Sequence, residues 1–396
     1  MKKLFCILLA LVMLSSLTAC GFFARIESGT NNNEDSKTVE IINDGTPFSE
    51  GIAVVSHHTN HNQKFSVIDK EGNILCDFES EDYNIFHQGQ HYYKNGVFVS
   101  GNIAYDKNGK VIASPEKSGY TNLLTDARVD GKMLAIKIEE SASGNKLYYG
   151  LLDNKGNWIE PLSSTHPIAK ELENVSEESI DLYNAAFCTG EVVHIAENRY
   201  YNMKTGAITS HIPEFIGKSE YTSNGERYAV WGRDENGKET KVKSGVYLKC
   251  SFETGFIGCY SQNGDTNTNL YYFDENGNEI IDLKTEDIMD AKVLGGYLFA
   301  CVYNDAKDYH TCVYKLTGET VIEAMDIDGH FSELRVWDEY GLFGTDEKHI
   351  YNFSGEEITF EDYMIISFGE GLFFVAAKED YTRAYLDMNG NKVFPK

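Results

Sequence analysis

Three histidines within five residues, His57, His58 and His61, are the densest set of metal donors in the chain. Imidazoles at that spacing suit zinc or copper. The residues among them, Thr59-Asn60 and Asn62-Gln63, fix no geometry, so the stretch reads as a solvated loop tip rather than a metal centre. His87 and His91 make a poorer pair, and no cofactor is expected. Cys301 and Cys312 flank the polar run Asn304-Asp305-Ala306-Lys307-Asp308 and could face one another across a hairpin as a disulfide; buried thiols are the alternative. No Cys-x-x-Cys pair occurs, which removes zinc-ribbon and thioredoxin-type chemistry. Asp274-Glu275-Asn276-Gly277-Asn278-Glu279 invites a calcium reading, but its glycine is fourth where a calcium loop needs it sixth. Gly-x-Ser-x-Gly, His-Glu-x-x-His and phosphate-binding loops are missing. A pair of acids for glycoside hydrolysis could stand anywhere among 61 carboxylates, and sequence does not locate it.

The strongest chemical signal is Cys20. Lys2 and Lys3 precede an unbroken apolar run from Leu4 to Leu14, eleven residues where a spanning helix needs about twenty. Leu17-Thr18-Ala19-Cys20-Gly21 follows, and it resembles the bacterial lipobox. That resemblance implies a diacylglycerol on the Cys20 sulfur, cleavage before Cys20, and acylation of the new N-terminus. Thiolate chemistry requires cysteine there, and several acyl chains at about 0.8 kcal/mol per buried CH₂ hold a protein firmly on a bilayer. Residues 1–19 are therefore read as a signal peptide. Residues 20–47 read as the lipidated cysteine and a polar tether, with Gly29-Thr30-Asn31-Asn32-Asn33-Glu34-Asp35 in its middle. The expected address is the extracytoplasmic face of the cell membrane.

The formal net charge is −26, and removal of Lys2 and Lys3 makes the mature chain more acidic still. Such a surface excludes nucleic acid and anionic headgroups as partners by charge. An envelope protein or a neutral glycan remains compatible.

From residue 48 to 396 the chain repeats itself. Phe48-Ser49-Glu50-Gly51-Ile52-Ala53-Val54-Val55, a polar loop, and Lys64-Phe65-Ser66-Val67-Ile68-Asp69-Lys70-Glu71-Gly72 stand near the start. Phe368-Gly369-Glu370-Gly371-Leu372-Phe373-Phe374-Val375, a loop, and Ala384-Tyr385-Leu386-Asp387-Met388-Asn389-Gly390 stand near the end. Gly51 and Gly371 are 320 residues apart, eight steps of forty. Turn glycines at 72, 109, 156, 206, 277, 318, 355 and 390 mark eight copies, and the gap of 71 residues after Gly206 leaves room for a ninth around Tyr228 to Lys249.

Each copy contains β-branched or aromatic runs of four to seven residues, which are strands, joined by Asp-x-Asn-Gly and related tight turns. One such unit cannot bury both faces, so stacked neighbours must do it. The expected fold is all-β: a propeller-like ring of about eight units of roughly forty residues, with seven or nine units or an open solenoid as alternatives. Helix is expected only near 168–186. Thr38 to Ile42 is expected to supply a strand missing from the last unit, closing the ring.

These units resemble the WG-repeat proteins and related propeller-like bacterial lipoproteins, whose unit runs Phe-Ser-Glu-Gly-Leu-Ala-x-Val, then Lys-Trp-Gly-Tyr-Ile-Asp-x-x-Gly-Lys. Phe48–Val55 and Lys64–Gly72 match, with Phe65-Ser66 in place of Trp-Gly; Tyr149-Gly150 is nearer, and the literal Trp231-Gly232 falls in the least regular part. The resemblance implies a binding or scaffolding module rather than an enzyme. A surface glycan hydrolase or lyase, with acids in the central channel, is the alternative.

Overall fold

A computed structural model describes residues 42–395, except 60–61, 80–92, 141–143, 174, 176–179, 181–186, 223–224, 263–264, 304–308, 326–330, 332–333 and 347. Strand accounts for 59% and helix for 4%, so the chain is all-β. Nine antiparallel sheets of three or four consecutive strands form the blades of a β-propeller. In chain order the blades run Asp44–Glu79, Val97–Ala113, Asn122–Ser163, Phe187–Thr209, Glu214–Ser244, Val246–Asp282, Ile288–Met325, Arg335–Asn352 and Tyr363–Phe394.

The count is nine, the alternative that the 71-residue gap allowed, because that gap holds a whole blade. Its turn, Asp234-Glu235-Asn236-Gly237, repeats the Asp-Glu-Asn-Gly of 274–277. The turn chemistry recurs from blade to blade. Asp274 Oδ1 accepts from the Asn276 and Asn278 amides at 2.9 and 2.7 Å, and its Oδ2 accepts from Asn278 Nδ2 at 2.8 Å. Asp69, Asp153 and Asp387 bind the asparagine four residues on in the same way. These turns hold their aspartates with protein donors.

The core lies between blades, not within them. Fully buried side chains of one sheet meet those of the next, as where Phe65, Phe78, Phe98 and Tyr105 join the first blade to the second. Ring closure works by this same packing. The last blade contains four strands of its own, Tyr363–Gly369, Leu372–Ala377, Arg383–Leu386 and Lys392–Phe394. It needs no strand from the N-terminus, and Asp44–Gly45 pairs instead with Ile52–Thr59 inside the first blade. The landmark Glu370-Gly371 sits between first and second strands, so counting units from it leaves out the strand before. Of Thr38 to Ile42 only Ile42 is described; it is buried in the apolar cluster joining the first and last blades.

Two other expectations change. Cys301 pairs across its hairpin with Thr311, and Cys312 with Ala300. Paired residues share a face and successive ones alternate, so the two thiols leave the sheet on opposite sides and enter different cores. The disulfide is not made. The helix expected at 168–186 is a single short element, Pro167–Leu172, capped by His166, and most of 174–186 lies outside the described residues. No described helix is long and apolar enough to cross a membrane.

Candidate binding surface

Eight apolar clusters join consecutive blades, including last to first. Among the described residues none joins the fourth blade to the fifth. The fifth blade packs Phe215, Val230 and Val242 against the sixth. Its other face, set by register, carries Glu214, Ile216, Lys218 and Glu220 on one strand, Arg227, Trp231 and Arg233 on the next, and Glu239 and Lys241 on the third. The side of the fourth blade away from the third presents Val192, His194, Tyr200 and Asn202, all half-buried.

This is a wet, charged face at a place where other blades are dry. Lys218 pairs with Glu239; Arg233 reaches Glu214 at 2.8 Å and Glu239 at 3.3 Å; Lys241 reaches Glu220. The Lys218 and Lys241 ammonium groups stand 5.4 and 5.2 Å from the Trp231 ring centroid, within cation–π range. Lys218 and Lys241 are 40% exposed, and Glu220, Arg233 and Glu239 27–28%. The hydrogen bond from Lys218, helped by Arg233 and opposed by burial, holds the Glu239 carboxyl below its ordinary value. Residues 214–249 carry seven Lys and Arg against six Asp and Glu, local neutrality in a strongly acidic chain.

A cleft of about 340 Å³ opens on the other side of the same blade, lined by Gly217, Lys218, Ser219, Tyr228, Tyr247 and Leu248. Tyr228 and Tyr247 meet edge to face, 5.0 Å between centroids at 82°. The fifth blade has three strands, with its Asp-x-Asn-Gly turn between the second and third. In four-stranded blades that turn lies between the third and fourth. The strand absent is therefore the first, and residues 210–213, which precede the blade, are described and are not strand. A second cleft, about 290 Å³ on the last blade, is lined by Glu361, Asp362, Lys378, Glu379 and Asp380 among others. Its groups bind each other: Lys378 donates to the Phe360 and Glu361 carbonyls, and Asp380 accepts from Thr382.

His166 is the group nearest to a catalytic arrangement. It is buried between Tyr149 and Tyr201, with Glu160 at 3.1 Å. Its Nδ1 accepts the Ile168 amide, and burial pushes the imidazole down, so it serves as a neutral helix cap. The described carboxyls whose acidity is displaced, among them Asp126, Asp153, Asp274 and Glu370, all move below the ordinary value.

Most of the side chains singled out by sequence lie outside the described residues. Cys20 lies outside the described residues. His57 and His58 occupy successive positions of the strand Ile52–Thr59, opposite Lys64 and Gln63 rather than on a loop; their side chains, and His61, His87 and His91, lie outside the described residues. Among the described residues no cluster of His, Cys, Asp or Glu has metal-binding geometry. The fifth-blade surface was missed, although its local neutrality and Trp231-Gly232 were signals within reach.

No protein-family model and no curated protein matches the chain. Among solved structures it is similar to an acylaminoacyl peptidase from Pyrococcus horikoshii (9% identity, TM-score 0.29, 89% of this chain and 52% of that one). The chain thus spans about half of that peptidase. It is also similar to the uncharacterized protein lmo1340 from Listeria monocytogenes EGD-e (10%, 0.23, 91% and 85%) and to the polysaccharide lyase Uly1 (9%, 0.23, 91% and 92%). At such TM-scores these likenesses carry no argument about activity.

Proposed function

We propose that this protein is a binding or scaffolding module of the cell envelope, a propeller of the WG-repeat kind, held on the extracytoplasmic face of the membrane by a lipid on Cys20. The observation that carries the binding role is the charged face of the fifth blade. Trp231 between two lysines, with arginine and glutamate around it, is the composition of a surface that holds a polar partner, where the other blades spend the equivalent face on an apolar joint. The alternative reading, a glycan hydrolase or lyase, asks for a carboxyl pushed upward to act as general acid. The displaced carboxyls are pulled downward by hydrogen bonds and cations, which favours structural and binding roles.

The test is co-sedimentation of the mature chain with envelope fragments, separately protein-depleted cell wall and protein-containing membrane. Trp231→Ala combined with Lys218→Ala should abolish retention while the thermal melt stays close to the parent's. Retention unchanged by the double variant would remove the fifth blade from the binding role. The anchor is tested by Cys20→Ser, which should accumulate unprocessed and carry no acylated peptide by mass spectrometry; a mature chain cut elsewhere and without lipid would end that part of the reading.

A further inference from the structure

Strand Glu214–Thr222 is nine residues long and forms an edge of the fifth blade, because the blade's first strand is absent. In an antiparallel pair, alternate residues turn their amide and carbonyl away from the partner strand. The Phe215 amide donates to Ser251 Oγ of the sixth blade at 2.8 Å, so Phe215 belongs to the outward set. No register shift interrupts the pairing with Gly225–Arg233, so Gly217, Ser219 and Tyr221 belong to it as well. Ser251 closes one end of the edge. Beyond it, Gly217 and Ser219 are exposed and border the 340 Å³ cleft; Tyr228 lies beside Ser219 on the adjacent strand, and Tyr247 and Leu248 of the sixth blade stand on the far side. The lining holds no carboxylate; the Lys218 ammonium is turned to Glu239 and Trp231 on the opposite face, and Lys249 stands 6.0 Å from the Tyr247 ring.

We propose that this edge is a strand acceptor. An extended segment of a partner protein adds to Glu214–Thr222 in the place of the missing first strand. Its backbone bonds the outward groups of Gly217 and Ser219, an apolar side chain rests on the Tyr228–Tyr247 pair, and an acidic residue meets Lys249. The partner is an extended acidic-apolar peptide because the edge offers backbone groups at a two-residue period, the cleft offers the Tyr228 and Tyr247 faces, and the charge at the rim, Lys249, is positive. This deepens the binding role proposed above and rests on it.

The experiment uses the mature chain and a synthetic peptide, Glu-Val-Ser-Val-Ser-Val. Bound peptide should slow hydrogen exchange at Gly217 and Ser219. Ser219→Pro, which removes one outward amide and leaves the bonds to Gly225–Arg233 intact, should weaken binding at least tenfold without moving the denaturation midpoint. Tyr247→Ala, at a 38%-exposed residue, should weaken it severalfold, and so should lysine in place of the peptide's glutamate. Equal affinity across parent and both variants, or no protection at Gly217 and Ser219 at millimolar peptide, overturns strand addition. Envelope retention kept by Ser219→Pro and lost by the Trp231 variant overturns strand addition alone. Peptide protection without any envelope retention sinks the scaffold reading and leaves the acceptor edge standing.

Discussion

The joint that closes the ring and the joint between the fourth and fifth blades are made from the same kind of sheet, yet they are built on opposite physics. At closure Phe48 and Phe374 enclose the Tyr385 ring, with centroids 5.0 and 4.9 Å away, and Ala53, Val55 and Phe394 fill the space around them. Gly369 lies so close to the Phe48 carbonyl that a side chain there would overlap it. A latch is added at the surface. Glu370, in a two-residue turn with Gly371 at φ 49° and 84°, accepts from the Gly51 amide at 2.9 Å and pairs with Lys70 at 3.0 Å. Glu50 repeats this on the second blade, with Gly96 at 2.7 Å and Lys107 at 3.2 Å. The joint before the fifth blade has neither an apolar filling nor such a latch among the described residues. The lesson is that, among the described residues, eight joints are dry and apolar, and the joint before the fifth blade leaves charged surface uncovered.

The contrast would be sharpened most by Phe374→Ala. That side chain is fully buried, and its loss should cost about 3–5 kcal/mol in a denaturant titration; a cost below about 1 kcal/mol would mean the closing joint is not a core. Next comes Tyr385→Phe, which removes a 2.7 Å hydrogen bond to the buried Thr46 carbonyl and should cost about 1–2 kcal/mol.

A smaller effect, under about 1 kcal/mol, is expected of Glu370→Gln, and it should depend on pH. Burial pushes the Glu370 carboxyl up, but Lys70 and the Gly51 amide outweigh it and hold it below 4.5. A depressed carboxyl stabilises fully above its unfolded value, so the gap between parent and variant should be present at neutral pH and shrink as pH falls below 4.5. A gap that grew on acidification would refute the latch. Smallest of all, Lys241→Ala on the wet face should stay within about 0.5 kcal/mol of the parent, and less as salt is added. A loss comparable to Phe374→Ala would show that the two joints do not differ.

The repeat was legible because tight turns need particular residues: a glycine, most often three residues after Asp or Asn, recurs once per blade. The fifth blade showed only as a gap in a count that followed turn glycines, although Asp234-Glu235-Asn236-Gly237 follows the same rule. Phase was harder to read. Glu50-Gly51 and Glu370-Gly371 are the clearest landmarks, but they fall inside a blade, so sequence shows the period and not where a unit begins. Cys301 and Cys312 show a related limit. Facing positions on a hairpin depend on register to the single residue, and register is set by packing on both faces. The uncovered charged face was the least legible feature, because what distinguishes it is a missing apolar neighbour, a relation between blades that no local pattern encodes.

Because each blade completes itself from consecutive strands, every hydrogen-bonded ladder brings together residues near in sequence. Among the described residues the longest separations belong to the closing joint, where Gly51 meets Glu370 across 319 residues and Thr46 meets Tyr385 across 339. Loop closure grows more costly with length, and contacts between near neighbours form fastest. The order of assembly follows: blades gather one after another as the chain emerges, and the ring shuts in a final step that needs the last blade in place. A chain released before Tyr363 is a row of finished blades with a bare apolar face at the N-terminal end, a species to be expected among truncated products and one that should self-associate through that face.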